Sequence, residues 1–292
     1  MRRGHACVLC GAEALERVRA RSVHAPLEPR HFAVTDYAYG TTLDLFRCRG
    51  CGLLQCDDAG GVLKHYEQLE DDAYEAGREQ RRLQMRYLLT RLRPYAARGA
   101  LLDIGAASGI LVEEACRLGY DARGIEPGRA FQAAAAQRGL RVTLGTLPHA
   151  DLTGPFDVVT LVDVIEHVED PVDLLRNATR LLRPGGVGLL VTPDVHSLAA
   201  RLMGRRWWHY RPAHITYFDR QTARRLVHTC GLSLVSAFRP TWVFPLDYLW
   251  ERATSYLPAR LRFRLPRRGA AIGVPLNLRD SLALIVRRPL TS

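Results

Sequence analysis

Short apolar runs at residues 100–104, 122–126, 141–144, 156–162 and 187–192 alternate with stretches of helical spacing that begin near Gly109, Gly128, Pro171 and Val195. Strands that read as continuous apolar runs are buried on both faces, and their alternation with helices predicts an α/β fold with a doubly wound, mostly parallel sheet. Ahead of it, Met85, Leu88, Leu89 and Leu92 recur at helical spacing within 73–92, with Arg78, Arg81, Arg82, Arg86 and Arg93 over much of the remaining surface. That pattern predicts an amphipathic helix packed on the following domain with a solvated arginine face, ended by Pro94 and Gly99.

The first 60 residues have a different pattern. Cys7-Val8-Leu9-Cys10-Gly11 and Cys48-Arg49-Gly50-Cys51-Gly52 are two Cys-x-x-Cys-Gly knuckles, the second led in by the alternating Leu43-Asp44-Leu45. Two residues between cysteines turn the backbone around one metal, and the glycine permits the left-handed geometry that follows, so Cys7, Cys10, Cys48 and Cys51 predict a structural zinc in a ribbon with an elaborated loop. Cys56 is expected to be a small core residue. The expected organisation is therefore a zinc-ribbon-like module at 1–60, a helical linker at 61–99, and a nucleotide-type domain at 100–292 carrying a basic helical insertion at 241–276.

Composition adds limits. Hydrophobic residues make up 47% and charged residues 24% of 292, which is enough to bury a sizeable core. No apolar run approaches the roughly 18 residues of a membrane span, and Met1-Arg2-Arg3-Gly4-His5 leads straight into cysteines, so a cytoplasmic protein is expected. The net charge of +11 is uneven: residues 101–200 carry −5 and residues 201–292 carry +13. Helical spacing from Leu246 through Leu249, Trp250, Ala253 and Leu257 leads into Arg260, Arg262, Arg264, Arg267 and Arg268, a segment suited to a phosphate-bearing or lipid-linked partner or to peripheral membrane contact.

The candidate chemistry concentrates in Leu101-Leu102-Asp103-Ile104-Gly105-Ala106-Ala107-Ser108-Gly109, a buried strand and small-residue turn before a helix. Small residues let a ligand approach the backbone. Ile110 stands where a dinucleotide fingerprint would place its third glycine, and Asp103 is a carboxylate beside the turn, suited to a cationic ligand. Glu126, at the end of the next strand, can accept two hydrogen bonds from a ribose diol. Two carboxylates fit a sulfonium nucleoside better than a diphosphate.

These motifs, with Phe156-Asp157-Val158-Val159, Asp163-Val164-Ile165-Glu166-His167-Val168 and Leu182-Arg183-Pro184-Gly185-Gly186, resemble the class I S-adenosylmethionine-dependent methyltransferases. The resemblance implies a Rossmann-like sheet of seven strands whose last strand, at Ser281–Val286, is antiparallel and pairs with 232–238. It also implies a cofactor site of Asp103, Gly105, Gly109, Glu126, Thr146, Leu147 and Asp163, with Ala107 in place of the middle glycine. Methyl transfer to a hydroxyl or carbon acid requires removal of a proton, for which His214 and His167 are the candidates, with Tyr210 near His214 also expected in the catalytic set. The ribbon-plus-core arrangement is similar to zinc-containing sugar C-methyltransferases, whose Tyr-x-Glu-His stretch is replaced here by Arg211-Pro212-Ala213-His214 with Tyr210 one position displaced; the Asp-x-x-Glu-His after the fourth strand is similar to ubiquinone-type O-methyltransferases. The expected acceptor is a small molecule or glycan precursor. A zinc-containing RNA methyltransferase is the alternative, disfavoured because residues 1–60 are nearly neutral, with 8 basic and 7 acidic residues.

Overall fold

The computed structural model describes residues 6–23, 27–33, 40–56, 61–254 and 272–290. The ribbon comprises β1 (Leu15–Arg19), β2 (Leu45–Cys48) and β3 (Leu54–Cys56), paired antiparallel in that order. Both knuckles close the same way, with the Gly11 N–H donating to the Cys7 carbonyl and the Gly52 N–H to the Cys48 carbonyl, each at 2.8 Å. The two glycines lie at φ 72° and 84°, the left-handed region that the sequence pattern requires.

Next come α1 (Val62–Glu67), α2 (Asp72–Ala76) and α3 (Arg78–Leu92). The single helix expected over 73–92 is two, because Gly77 ends α2 and starts α3. Its arginine face is not simply solvated. Arg78 bonds Ser108 Oγ and pairs with Glu113, while Arg82 and Arg86 bond the two oxygens of Glu114 at 2.8 and 3.0 Å.

The core follows as β4 (Gly99–Ile104), α4 (Ile110–Arg117), β5 (Tyr120–Glu126), α5 (Arg129–Gln137), β6 (Val142–Leu144), β7 (Phe156–Val162), α6 (Pro171–Leu181), β8 (Leu182–Pro193), α7 (Leu198–Met203), β9 (Thr216–Tyr217), α8 (Arg220–Thr229) and β10 (Ser233–Phe238). It is completed by β11 (Trp242–Pro245), α9 (Leu246–Thr254), β12 (Gly273–Leu276) and β13 (Ser281–Arg287). Helix starts have local causes. Asp170 caps α6, accepting the Asp173 N–H at 2.9 Å ahead of Pro171, and Asp219 and Thr222 form a reciprocal box at α8.

The seven-stranded sheet has the order β10-β13-β8-β7-β4-β5-β6; β8, β7, β4, β5 and β6 are parallel, and β13 runs antiparallel to both β8 and β10. This is the Rossmann-like fold expected, with Ser281–Arg287 and Ser233–Phe238 in the predicted places. One apolar cluster lies between the sheet and α6 and α8, and a second between the sheet and α3 and α4. Cys7, Cys48, Cys51 and Leu53 of the ribbon belong to the first cluster, alongside Phe218 and Leu226. The ribbon also shares backbone pairing with the core, since β9 adds to its β3 edge. Within 241–276 the described residues form the β11–β12 hairpin and α9. The arginine cluster from Arg260 to Arg268 lies outside the described residues.

Candidate active site

Parallel strands deliver their C-terminal ends, and the loops that follow, to one edge of the sheet, where open α/β folds bind ligands. There a cavity of about 1450 Å³ is lined by residues from the ends of β4, β5, β7 and β8, the three N-terminal helices, residues 206–214, and the β11–α9 segment. A single small-molecule pocket typically occupies a few hundred to about 1,000 Å³, so this space accommodates a nucleoside and a second ligand together.

Two carboxylates line the cavity. Asp103 is 4% exposed and accepts the Thr160 hydroxyl at 2.6 Å; burial, with the charge of Glu126, pushes its carboxyl up to about 7. Glu126 accepts the Gly128 N–H at 2.7 Å and the Ala107 N–H at 2.8 Å, and burial outweighs both bonds to push it up to about 7. Gly105 at φ 71° has no room for a side chain, because a Cβ would meet Val164 Cγ2 at 2.5 Å. Ala107 takes the left-handed conformation too, at φ 45°, which costs a non-glycine residue about 1 kcal/mol. Thr146, Leu147 and Asp163 also line the cavity. Asp163, at φ 53°, presents its surface to that space. Gly109 is not among the lining residues; it starts α4, packed on Leu140 and Val142.

Histidines line the cavity as well. Nδ1 of His167 lies 2.9 Å from the Ala213 carbonyl and 2.6 Å from the Tyr66 hydroxyl. A carbonyl can only accept, so the proton sits on Nδ1. Burial lowers the His167 imidazole to about 3, and burial with the neighbouring His167, Arg211 and His209 holds His214 well below its ordinary value. Both rings are therefore neutral. Glu166, His167 and His214 bring their donor atoms within 4.8 Å of one another, and Glu166 Oε1 and His214 Nδ1 are buried without a hydrogen-bond partner. Buried polar atoms are costly to leave unpaired, so a polar group of a ligand has ready partners here. Tyr210 is not brought to the cavity. Its ring packs on Trp207 and Tyr217, with the Arg19 guanidinium 4.8 Å from its centre.

Tyr66, Gln80, Arg81, Gln84, Trp208, His209 and Asp280 also line the cavity, and sequence reasoning did not single them out. Gln80 and Gln84 are buried polar positions on α3, a signal against a plain packing helix. Tyr66 and Asp280 gave none, lying in segments that no motif marks.

The four knuckle cysteines form a separate cluster, with Sγ–Sγ distances of 3.5 Å for both Cys7–Cys51 and Cys10–Cys48. Those separations are far beyond a disulfide and near the edge of about 3.8 Å of a tetrahedron with Zn–S bonds of about 2.3 Å. The cluster has the donor set and spacing of a zinc ribbon.

Residues 78–237 match the family described as Methyltransferase domain. The chain is 39% identical over 102 residues to a ubiquinone biosynthesis O-methyltransferase of Caulobacter vibrioides, covering 32% of this chain and 40% of that protein. It is 32% identical over 169 residues to the protein of the same name from Xanthomonas oryzae pv. oryzae, covering 50% and 70%. The chain thus spans less than half the length of the Caulobacter relative. Among solved structures, a chain from the complex between the Haloferax volcanii Trm112 methyltransferase activator and a methyltransferase superimposes with a TM-score of 0.53 at 16% identity, covering 75% of this chain and 95% of that one. A Pyrococcus horikoshii protein does so with a TM-score of 0.50 at 13% identity, covering 76% and 94%. At those identities the two structures speak for the fold alone.

Proposed function

Because this chain belongs to the methyltransferase-domain family, we propose that it uses S-adenosylmethionine to methylate a hydroxyl group on a small molecule with an apolar body. The observation that carries this reading is one cavity lined by two buried carboxylates, a left-handed turn and neutral histidines. The cofactor supplies an electrophilic methyl group on a cationic sulfur. Glu126 would accept the ribose hydroxyls, Asp103 and Asp163 would face the cationic methionine part, and Thr146 and Leu147 would flank the adenine. Arg81 Nε, buried in the same wall without a hydrogen-bond partner, suits the methionine carboxylate.

The same cavity is also walled by Phe32, Val62, Leu69, Phe244 and Leu276, a surface that favours an apolar or aromatic body over a bare sugar. Relatives named as O-methyltransferases point the same way. An imidazole of the cavity wall takes the hydroxyl proton, with His167 and His214 as the sequence-derived candidates. The ribbon cysteines Cys7, Cys10, Cys48 and Cys51 hold a structural zinc in this reading.

Calorimetric titration with S-adenosylmethionine and separately with NAD tests the proposal. Micromolar binding of the first alone, followed by transfer of labelled methyl to a phenolic acceptor, is expected. Binding of NAD alone would overturn it, and transfer to RNA in preference to small molecules would replace the acceptor class.

A further inference from the structure

The cavity wall also contains an arrangement around Asp280 to which no role has been given so far. Asp280, in the turn before β13, is 3% exposed. Its Oδ2 accepts the Trp208 indole N–H at 2.8 Å and lies 3.3 Å from His209 Nε2. The backbone fixes it too, since the Asp280 carbonyl accepts the Asp194 N–H at 2.7 Å. His209, Trp208 and Asp280 all line the cavity. The His209 ring stacks on His214 at 5.6 Å between centres and 18° between planes, with the edge of Trp207 at 5.0 Å.

A carboxylate facing Nε2 selects the tautomer that is protonated there and leaves Nδ1 as the basic nitrogen. It also stabilises the imidazolium that forms when Nδ1 takes a proton. Burial alone would push the Asp280 carboxyl up, but the bond and charge of His209 outweigh it and the carboxyl is held below its ordinary value. His167 and His214 have no such counterion, since the carboxyl of Glu166, 3.9 Å from His167 Nε2, is itself driven toward its neutral form by burial and by Asp163.

Resting on the methyltransferase reading, we propose that His209 is the general base for the acceptor hydroxyl and that Asp280 and Trp208 are its positioning residues. The acceptor oxygen forms a bond to the methyl carbon as the carbon–sulfur bond breaks. That electron pair goes to sulfur, which loses its positive charge. The hydroxyl proton goes to His209 Nδ1, where Asp280 balances the new charge until water removes it. The titratable groups around His209 are Asp280 before β13 and the His214 ring, with the His167 ring beyond it at 4.6 Å from that of His214.

Carbethoxylation by diethyl pyrocarbonate tests this without knowledge of the acceptor, because the reagent attacks only an unprotonated ring nitrogen. The protein is treated at one fixed pH and the modification rate of each histidine is followed by peptide mass spectrometry. His209 should react, several-fold more slowly in Asp280→Asn, which loses the carboxylate facing Nε2, and faster in Trp208→Phe, where the carboxylate loses a competing donor. Opposite changes in two variants are not what a general loss of folding produces. A His209 rate that neither variant changes, or reaction at His214 in place of His209, would overturn the assignment. S-adenosylmethionine affinity, measured on the same samples, should stay within about twofold of the parent. Failure of the parent to bind that nucleoside would overturn the methyltransferase reading while leaving the His209 result to stand by itself.

Discussion

The Glu126 carboxylate accepts the backbone N–H of Ala107 at 2.8 Å, so the acid at the end of β5 and the turn after β4 are one unit. Its other oxygen accepts Gly128 N–H at 2.7 Å. Glu126→Gln keeps one acceptor but turns an NH₂ toward a backbone N–H, disturbing the turn as well as the proposed diol contact. Hydrogen bonds to a charged group are worth about 1.5–3 kcal/mol, so S-adenosylmethionine affinity should fall about 10- to 100-fold by calorimetry. Unchanged affinity would remove Glu126 from the site.

Asp103 and Glu126 contribute a falling limb to the pH dependence of stability, opposite in sign to that of the lowered His167 and His214. Both carboxyls are raised from the usual range to about 7 by burial. The folded protein therefore holds more protons than the unfolded chain between about pH 4 and 7, and stability falls across that window as pH rises. The ligand-free melting temperature should be lower at pH 8 than at pH 5, and Asp103→Asn should flatten the slope. Because a cationic ligand favours ionised carboxylates, cofactor binding should release protons near pH 6, seen as a dependence of the calorimetric enthalpy on the buffer.

Glu114 behaves with the opposite sign. Fully buried on α4, it receives Arg82, Arg86 and Arg117, which hold its carboxyl below the ordinary range against the effect of burial. That stability is present above about pH 4 and is lost as pH falls through the lowered value. The three arginines keep between 24% and 51% exposure, so Glu114→Ala should cost about 2 kcal/mol, less than the roughly 3–5 kcal/mol of breaking a fully buried pair. The melting temperature should drop by about 5 °C, and a drop of less than one degree would show that α3 is held by apolar packing alone.

The sheet was legible because its strands are continuous apolar runs whose ends carry diagnostic groups, as at Asp103, Glu126 and Asp163. The ligand cavity was only half legible for a physical reason. Its proposed cofactor residues lie close in sequence to strand ends, whereas its histidine wall is assembled from segments distant in the chain. Tyr66 meets His167 across 101 positions, and Trp208 meets Asp280 across 72. No periodicity encodes such meetings. Tyr210 illustrates the converse, since adjacency to the His214 segment suggested a role while its ring turns toward Arg19 and the ribbon.

The ribbon's attachment gives the last prediction. Cys56 N–H donates to the Ile215 carbonyl at 2.7 Å, β3 pairs with β9, and the Ile215 N–H donates to the Glu166 carbonyl at 2.9 Å, so the backbone beside His214 is strung between the metal module and the cavity. The ligand cysteines sit in the same apolar cluster as Phe218 and Leu226. A zinc lost from an independent bead would leave the core's melting unchanged; here its loss should propagate. About one zinc per chain is expected by elemental analysis. Chelation or Cys48→Ser should lower stability by several kcal/mol and open new carbethoxylation sites only in the 206–218 segment and the ribbon itself. Metal-free protein that melts like the parent would separate the ribbon from the fold's stability, whereas a fall in stability accompanied by new reactivity at His214 would show that the cysteine cluster holds the acceptor wall in place.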